Sequence, residues 1–243
     1  MIAQKLHLTH LYPRHMSLYG DRGNVLVLRS LAERNQIELE IHDCPPGGSI
    51  HPESDLILLG GGQDFDQKRI MQDLLSRKQQ IADLVSQGAI YLGICGGYQL
   101  LGRYYETSDG QVIEGLGLVD LYTKKAKKST HRMIGNLRAI GSRVGTIQGF
   151  ENHGGRTFLG AGVEPLAIVV QGAGNNGEDK TEGVWQPQGE GLYLGTYLHS
   201  FLPRNVQVAT QLLKRMLGTH RPLAYEGDTL DRLNQQIGGS LKY

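Results

Sequence analysis

One segment limits what this 243-residue chain can fold into more than any other: Tyr91-Leu92-Gly93-Ile94-Cys95-Gly96-Gly97-Tyr98-Gln99-Leu100. Ala89–Ile94 is a short apolar run, suited to a strand buried on both faces of a parallel sheet. It passes into a helix beginning near Gly96 through one residue, Cys95. Gly93 lies two before it and Gly97 two after, positions where any side chain would strike the neighbouring strand or helix. This is the form of a nucleophile elbow with sulfur in place of oxygen. The N-terminus of the following helix favours the thiolate of Cys95. The Gly96 N–H points where an oxyanion would develop. A buried structural cysteine is the competing reading, since free cysteines are often buried. The two flanking glycines after an apolar strand favour the nucleophile.

The elbow demands a parallel sheet, and the first half of the chain supplies one. Strands are expected at Lys5–Tyr12, Ile37–Ile41 and Asp55–Leu59, besides Ala89–Ile94. Asp21 or Asn24 can cap a helix carrying Val25, Leu28, Leu31 and Ala32. A single helix is expected over residues 67–87, with Ile70, Leu74, Ile81, Leu84 and Val85 on one face and Gly88 as its stop. The second half is richer in strands, with candidates at Leu118–Tyr122, Met133–Ile140, Leu166–Gln171, Gly183–Trp185 and Leu192–Tyr197. Helices are expected at Asn205–Leu217 and near Thr229–Ile237. No repeat or linker interrupts the chain. The expectation is one α/β domain over residues 1–243, a doubly wound, mostly parallel sheet with antiparallel additions in the second half.

A thiol nucleophile needs a base, and nine histidines compete for the part. His199 follows the apolar strand Leu192–Tyr197, and catalytic groups on α/β sheets gather at the carboxyl ends of strands. His153, in Glu151-Asn152-His153-Gly154-Gly155, is the runner-up. The other seven, His7, His42 and His51 among them, read as surface or turn residues. With no His-Glu-x-x-His pattern, no metal site is expected. Gly60-Gly61-Gly62 follows a strand, and Gly61 or Gly62 can offer the second oxyanion donor; a plain tight turn explains the loop equally well. The loop lacks the spacing of a phosphate-binding loop, so no cofactor is expected on this chain.

Formal net charge is +1 and charged residues make up 20% of the chain, which gives no reason to invoke nucleic acid or an anionic membrane surface. No segment is apolar enough to span a bilayer. The first residues lack the apolar core of a signal peptide, and there are two cysteines, Cys44 and Cys95. A cytoplasmic location is the expectation.

Gly93–Gly97 with the later His199 resembles the class I glutamine amidotransferases, which hydrolyse glutamine through a cysteinyl thioester on a flavodoxin-like fold. In many of them a glutamate two residues after the histidine orients its ring. Here that position is Phe201, and the resemblance shifts to the cobyric acid synthase branch, which also lacks the glutamate. Leu18-Tyr19-Gly20-Asp21-Arg22-Gly23-Asn24, Gly60-Gly61-Gly62-Gln63-Asp64, Glu151-Asn152-His153-Gly154-Gly155-Arg156-Thr157 and Asn175-Asn176-Gly177-Glu178-Asp179 narrow it further. They resemble the glutaminase subunits of lipid II isoglutaminyl synthase. That resemblance implies Cys95 as nucleophile, His199 as base and Arg132 as a glutamine-binding residue. It also implies a heterodimer with a MurT-like Mur-ligase subunit, which would carry ATP and Mg and amidate D-glutamate in the peptidoglycan stem peptide. Asp21, Glu151 and His153 are candidate supporting residues. The missing acid is expected from the partner, with Glu151 or Asp179 as sources within the chain. The alternatives are an amidotransferase serving another synthetase, and a non-catalytic domain on the same fold.

Overall fold

The computed structural model describes residues 5–18, 21–126, 132–218 and 223. In chain order the elements begin with β1 (Lys5–Leu11), α1 (Arg22–Arg34), β2 (Glu38–Cys44), β3 (Leu56–Leu59), α2 (Asp64–Ser76), α3 (Lys78–Ser86), β4 (Ile90–Ile94) and α4 (Gly96–Gln99). There follow β5 (Tyr104–Glu106), β6 (Val112–Glu114), β7 (Leu121–Lys125), β8 (Met133–Gly141), β9 (Gly145–His153) and β10 (Gly155–Leu159). The last are β11 (Ala167–Gln171), β12 (Thr181–Glu182), β13 (Val184–Gln188), β14 (Gly191–Thr196), α5 (Phe201–Arg204) and α6 (Val206–Met216).

The central sheet runs β2-β1-β3-β4-β14-β13, parallel throughout except for the antiparallel edge strand β13. Its parallel part has the flavodoxin-like order, with β14 in the fifth place. Leu56–Leu59, Ile90–Ile94 and Gly191–Thr196 are buried at every position, as strands covered on both faces must be. Two four-stranded sheets complete the molecule, ordered β10-β7-β5-β6 and β12-β11-β8-β9. Ile113 and Leu121 of the first and Leu137, Ala139 and Ile147 of the second join the same buried cluster as the central strands.

The helix expected over residues 67–87 is two helices. At Arg77 the backbone tightens, its N–H reaching back to the Leu74 carbonyl at 3.1 Å. The guanidinium turns inward, donating to both Asp73 oxygens at 2.7 and 3.1 Å and lying 3.4 Å from Cys44 Sγ. A buried, doubly bonded arginine anchors the break, which hydrophobic periodicity does not register. The glycine-rich stretch Glu151–Gly155 is strand: β9 ends at His153 and β10 begins at Gly155. The short β5 and β6 carry no periodic signal either. The expected helix near Thr229–Ile237 lies outside the described residues. Three histidines read as scattered surface residues, His7, His42 and His51, come together at the edge of the central sheet. Register and a returning loop unite them, which sequence spacing cannot show.

Candidate active site

Cys95 has the strained backbone that an elbow imposes, φ +50 and ψ −102, a region non-glycine residues rarely adopt. Its N–H donates to the Thr196 carbonyl at 2.8 Å, so β14 holds the turn from the side. A Cβ added to Gly93 would lie 2.7 Å from the Gly97 carbonyl oxygen, and one at Gly97 would run into the Leu59 carbonyl. The three chain segments pass too closely for any side chain there.

His199 follows β14. Its N–H donates to the Phe150 carbonyl at 2.9 Å, and Ser200 takes the left-handed conformation that turns the chain into α5. The imidazole Nδ1 faces the Asp21 carboxylate, 3.2 and 3.3 Å from its two oxygens. Asp21 is fully buried and His199 is 1% exposed. Burial alone would lower the His199 pKa. The hydrogen bond to Asp21, followed by the hydrogen bond and charge of Cys95, outweighs it and raises the pKa to about 10. Gly61 sits at the centre of the three groups. A Cβ there would be 2.8 Å from His199 Cε1, 3.1 Å from Asp21 Oδ2 and 3.4 Å from the Cβ of Cys95. A thiol, an imidazole and a carboxylate are thus arranged as nucleophile, base and orienter.

This arrangement corrects two expectations. The carboxylate against His199 comes from this chain's own Asp21, not from a partner, Glu151 or Asp179. Asp21 precedes α1 but makes no side-chain capping bond. Its oxygens go instead to His199 and to the Gly61 N–H, 2.8 Å away. That bond also removes Gly61 as an oxyanion donor. Among the described residues the N–H groups of Gly62 and Gly96 have no protein acceptor. Gly62 N lies 3.1 Å from the position of a Cβ on Gly96, so the two groups are neighbours. They are the pair available to an oxyanion.

Cys95 and His199 open into a cleft of ≈ 760 Å³ that also has Gly62, Gln67, Gln99 and Arg132 in its walls. Arg132 is exposed and braced by Asn152, whose side-chain and main-chain oxygens accept from it at 2.9 to 3.1 Å. His153 lines the same cleft but is fixed elsewhere. It stacks on Tyr197 at 3.5 Å, with Nδ1 3.0 Å from the Gly155 carbonyl. Burial lowers its pKa. Glu151 accepts from the N–H groups of Ala173 and Gly174 at 2.8 and 2.9 Å and so shapes a turn. Asp179 serves its own loop through Asn176 and Thr181. A second, more open cleft of ≈ 650 Å³ lies beyond Arg132 and contains neither Cys95 nor His199.

Two glutamines went unassigned in the sequence. Gln67 donates to the Gly62 carbonyl at 3.1 Å and to Gln99 Oε1 at 3.3 Å. Gln99 donates in turn to the Tyr197 hydroxyl at 3.1 Å. The one signal available for Gln99 was its place four residues after Cys95, on the first turn of the elbow helix.

The CobB/CobQ-like glutamine amidotransferase domain matches residues 7–206. The chain belongs to that family. This amidotransferase is 39% identical over 245 residues to the lipid II isoglutaminyl synthase subunit GatD of Streptococcus pneumoniae, covering 96% of this chain and 89% of that one. It is 38% identical to the GatD subunit of Staphylococcus aureus, covering 87% and 84%. A probable cobyric acid synthase of Methanothermobacter thermautotrophicus is 33% identical, but the match covers only 37% of that protein. Among solved structures, PurLQS from Thermotoga maritima superposes with a TM-score of 0.57 at 17% identity, covering 88% of this chain and 97% of that one. The glutaminase domain of Trypanosoma brucei CTPS gives 0.56 at 11% identity, over 90% and 96%. These two place the amidotransferase in the class I fold.

Proposed function

We propose that this chain is the glutaminase subunit of a lipid II isoglutaminyl synthase, releasing ammonia from glutamine for a Mur-ligase-like, MurT-type partner. The observation that supports it most is the grouping of Cys95, His199 and Asp21 around Gly61, in a chain similar to GatD subunits along nearly its whole length.

In this reading the Cys95 thiolate attacks the side-chain amide carbon of glutamine. The carbonyl oxygen becomes an oxyanion held by the Gly62 and Gly96 N–H groups, each worth on the order of 3–4 kcal/mol in comparable sites. The His199 imidazolium gives its Nε2 proton to the departing nitrogen. The C–N bond breaks, ammonia leaves and a thioester remains. Neutral His199 then takes a proton from water, whose oxygen attacks the thioester; the C–S bond breaks, glutamate leaves, and the Cys95 thiolate and His199 imidazolium are restored. Asp21 keeps the Nδ1 proton in place throughout and stabilises the imidazolium. Arg132 grips the α-carboxylate of glutamine as a charged fork.

The chain has no phosphate-binding loop, so ATP and Mg belong to the partner, where the D-glutamate α-carboxyl would be activated. Ammonia passes to it sheltered from bulk water, and the work is done on the cytoplasmic side. The test is to purify the chain with a Mur-ligase-like partner and assay glutamine-dependent amidation of lipid II. Cys95→Ser should abolish amidation from glutamine while leaving amidation from added ammonia, and Cys44→Ser should retain both. A pair that amidates only some other carboxylate would assign this subunit to a different synthetase.

A further inference from the structure

Away from the cleft, ligand-type side chains concentrate at the edge of the central sheet. β1 and β2 run parallel with His7 opposite Glu40 and Thr9 opposite His42. Alternation along the strands therefore puts His7, Glu40 and His42 on one face. The loop after β2 brings His51 onto the same face, its N–H donating to Thr9 Oγ1 at 3.2 Å. Nδ1 of His7 and Nε2 of His42 are 3.0 Å apart. The His51 ring lies over both, with centroid separations of 4.1 and 4.2 Å and planes inclined by 16°. Glu40 Oε2 is 3.5 Å from His7 Nδ1 and 3.8 Å from His42 Nε2, and Lys5 holds that oxygen at 2.8 Å.

We infer that His7, His42 and His51, with the Glu40 carboxylate beside them, form a site for a divalent transition ion of the zinc–copper group. Imidazole donors select such ions. Two nitrogens bound to one ion at 2.0–2.1 Å, at angles between square and tetrahedral, lie roughly 2.8–3.4 Å apart. The His7–His42 pair already has that spacing. One ligand atom from each histidine lies within 4.8 Å of the others; the His51 ring, stacked on the other two, must turn out of the stack to aim its in-plane lone pair at the same ion. The bound ion would tie edge strand β2 and the loop at His51 to β1. The site spans β2 and β1, the latter two strands from the elbow strand β4 along β2-β1-β3-β4. Its role is therefore structural and separate from glutamine hydrolysis.

The test uses the full chain without an affinity tag, carrying Cys95→Ser so that active-site sulfur cannot compete. Zinc is titrated by calorimetry and cobalt by visible absorption. The expected result is one ion per chain with nitrogen- and oxygen-type cobalt bands and no sulfur charge-transfer band. His42→Gln and His51→Gln should each weaken binding at least tenfold. Zinc should raise the melting temperature of the Cys95→Ser chain and leave that of the histidine variants unchanged. With Cys95 restored and no metal added, His42→Gln should hydrolyse glutamine at the wild-type rate. Failure to bind, or binding that survives both substitutions, overturns the inference. If a variant unfolds, the cobalt spectrum of the Cys95→Ser chain decides alone: absence of imidazole-type bands overturns it, and their presence supports it.

Discussion

At the residue scale Asp21 is the group with most at stake. Asp21→Asn keeps the shape but no longer holds the Nδ1 proton, so His199 loses its preferred tautomer. By comparison with other nucleophile–histidine–aspartate sites, glutaminase kcat should fall by about 10²- to 10⁴-fold with little change in KM. Steady-state kinetics on the chain with its partner checks this; an unchanged kcat would mean that another carboxylate orients the ring. Gly61→Ala asks a different question. The added methyl would press on His199 and Asp21 together, at 2.8 and 3.1 Å. Activity should be lost while the far-ultraviolet circular dichroism and melting temperature stay near wild type, and a fully active variant would show the triad to be more yielding than drawn. Arg132→Ala should act through KM, raising it roughly thirtyfold, or about 2 kcal/mol, the low end for a lost charged contact because the site is open to water. The arginine could be picked out in sequence only through resemblance, since an exposed arginine at a strand end carries no physical signal of its own. Cys95 was legible from glycine spacing alone. Asp21 stood among the supporting residues and equally as a helix cap, but its place against the His199 ring was not legible, because the two lie 178 residues apart.

At the scale of elements, the support beneath β14 contains a buried acid that the chemistry does not use. Glu182, in β12, is fully buried and accepts from the Thr196 hydroxyl at 2.6 Å and the Tyr197 N–H at 2.9 Å through one oxygen. Its other oxygen has no partner among the described residues. Burial, which these two bonds only partly offset, raises its pKa to about 7 from 4.5. The sign follows directly. The folded state binds the proton more tightly than the unfolded state, so its contribution to stability is complete below pH 4.5 and is lost as pH rises through 7. Wild type should lose on the order of 3 kcal/mol over that range relative to Glu182→Gln. Urea unfolding of both proteins at pH 5 and pH 8 reads the difference, and parallel stabilities would place the carboxyl proton elsewhere. The six central strands were legible because unbroken apolar runs and alternation report burial directly. The short β5, β6 and β10 were not, since they gain order by pairing with strands whose partners no local pattern names.

For the whole molecule, the Asp21–His199 contact joins the beginning of the chain to its last sheet strand, so its protonation bears on global stability. The folded pKa of His199, about 10, lies above its ordinary 6.5. Its contribution is therefore fully present below pH 6.5 and lost as pH rises through 10. The gap in unfolding free energy between wild type and Asp21→Asn should be widest near pH 6 and close towards pH 10. Denaturant unfolding across that range measures it, and a gap independent of pH would show that the pair does not titrate as described. The overall architecture was legible from the alternation of strands and helices, whereas the convergence of three histidines on one sheet edge depended on register. The order in which the site's parts appear along the chain has a consequence for biosynthesis. Asp21 and Cys95 leave the ribosome before the strand that delivers His199, which must then insert beside β4. Until it does, the sulfur has no base and the acid has no ring to hold. On the proposed mechanism, a chain that stops before β14 should be silent towards glutamine, and no ammonia should come from unfinished protein.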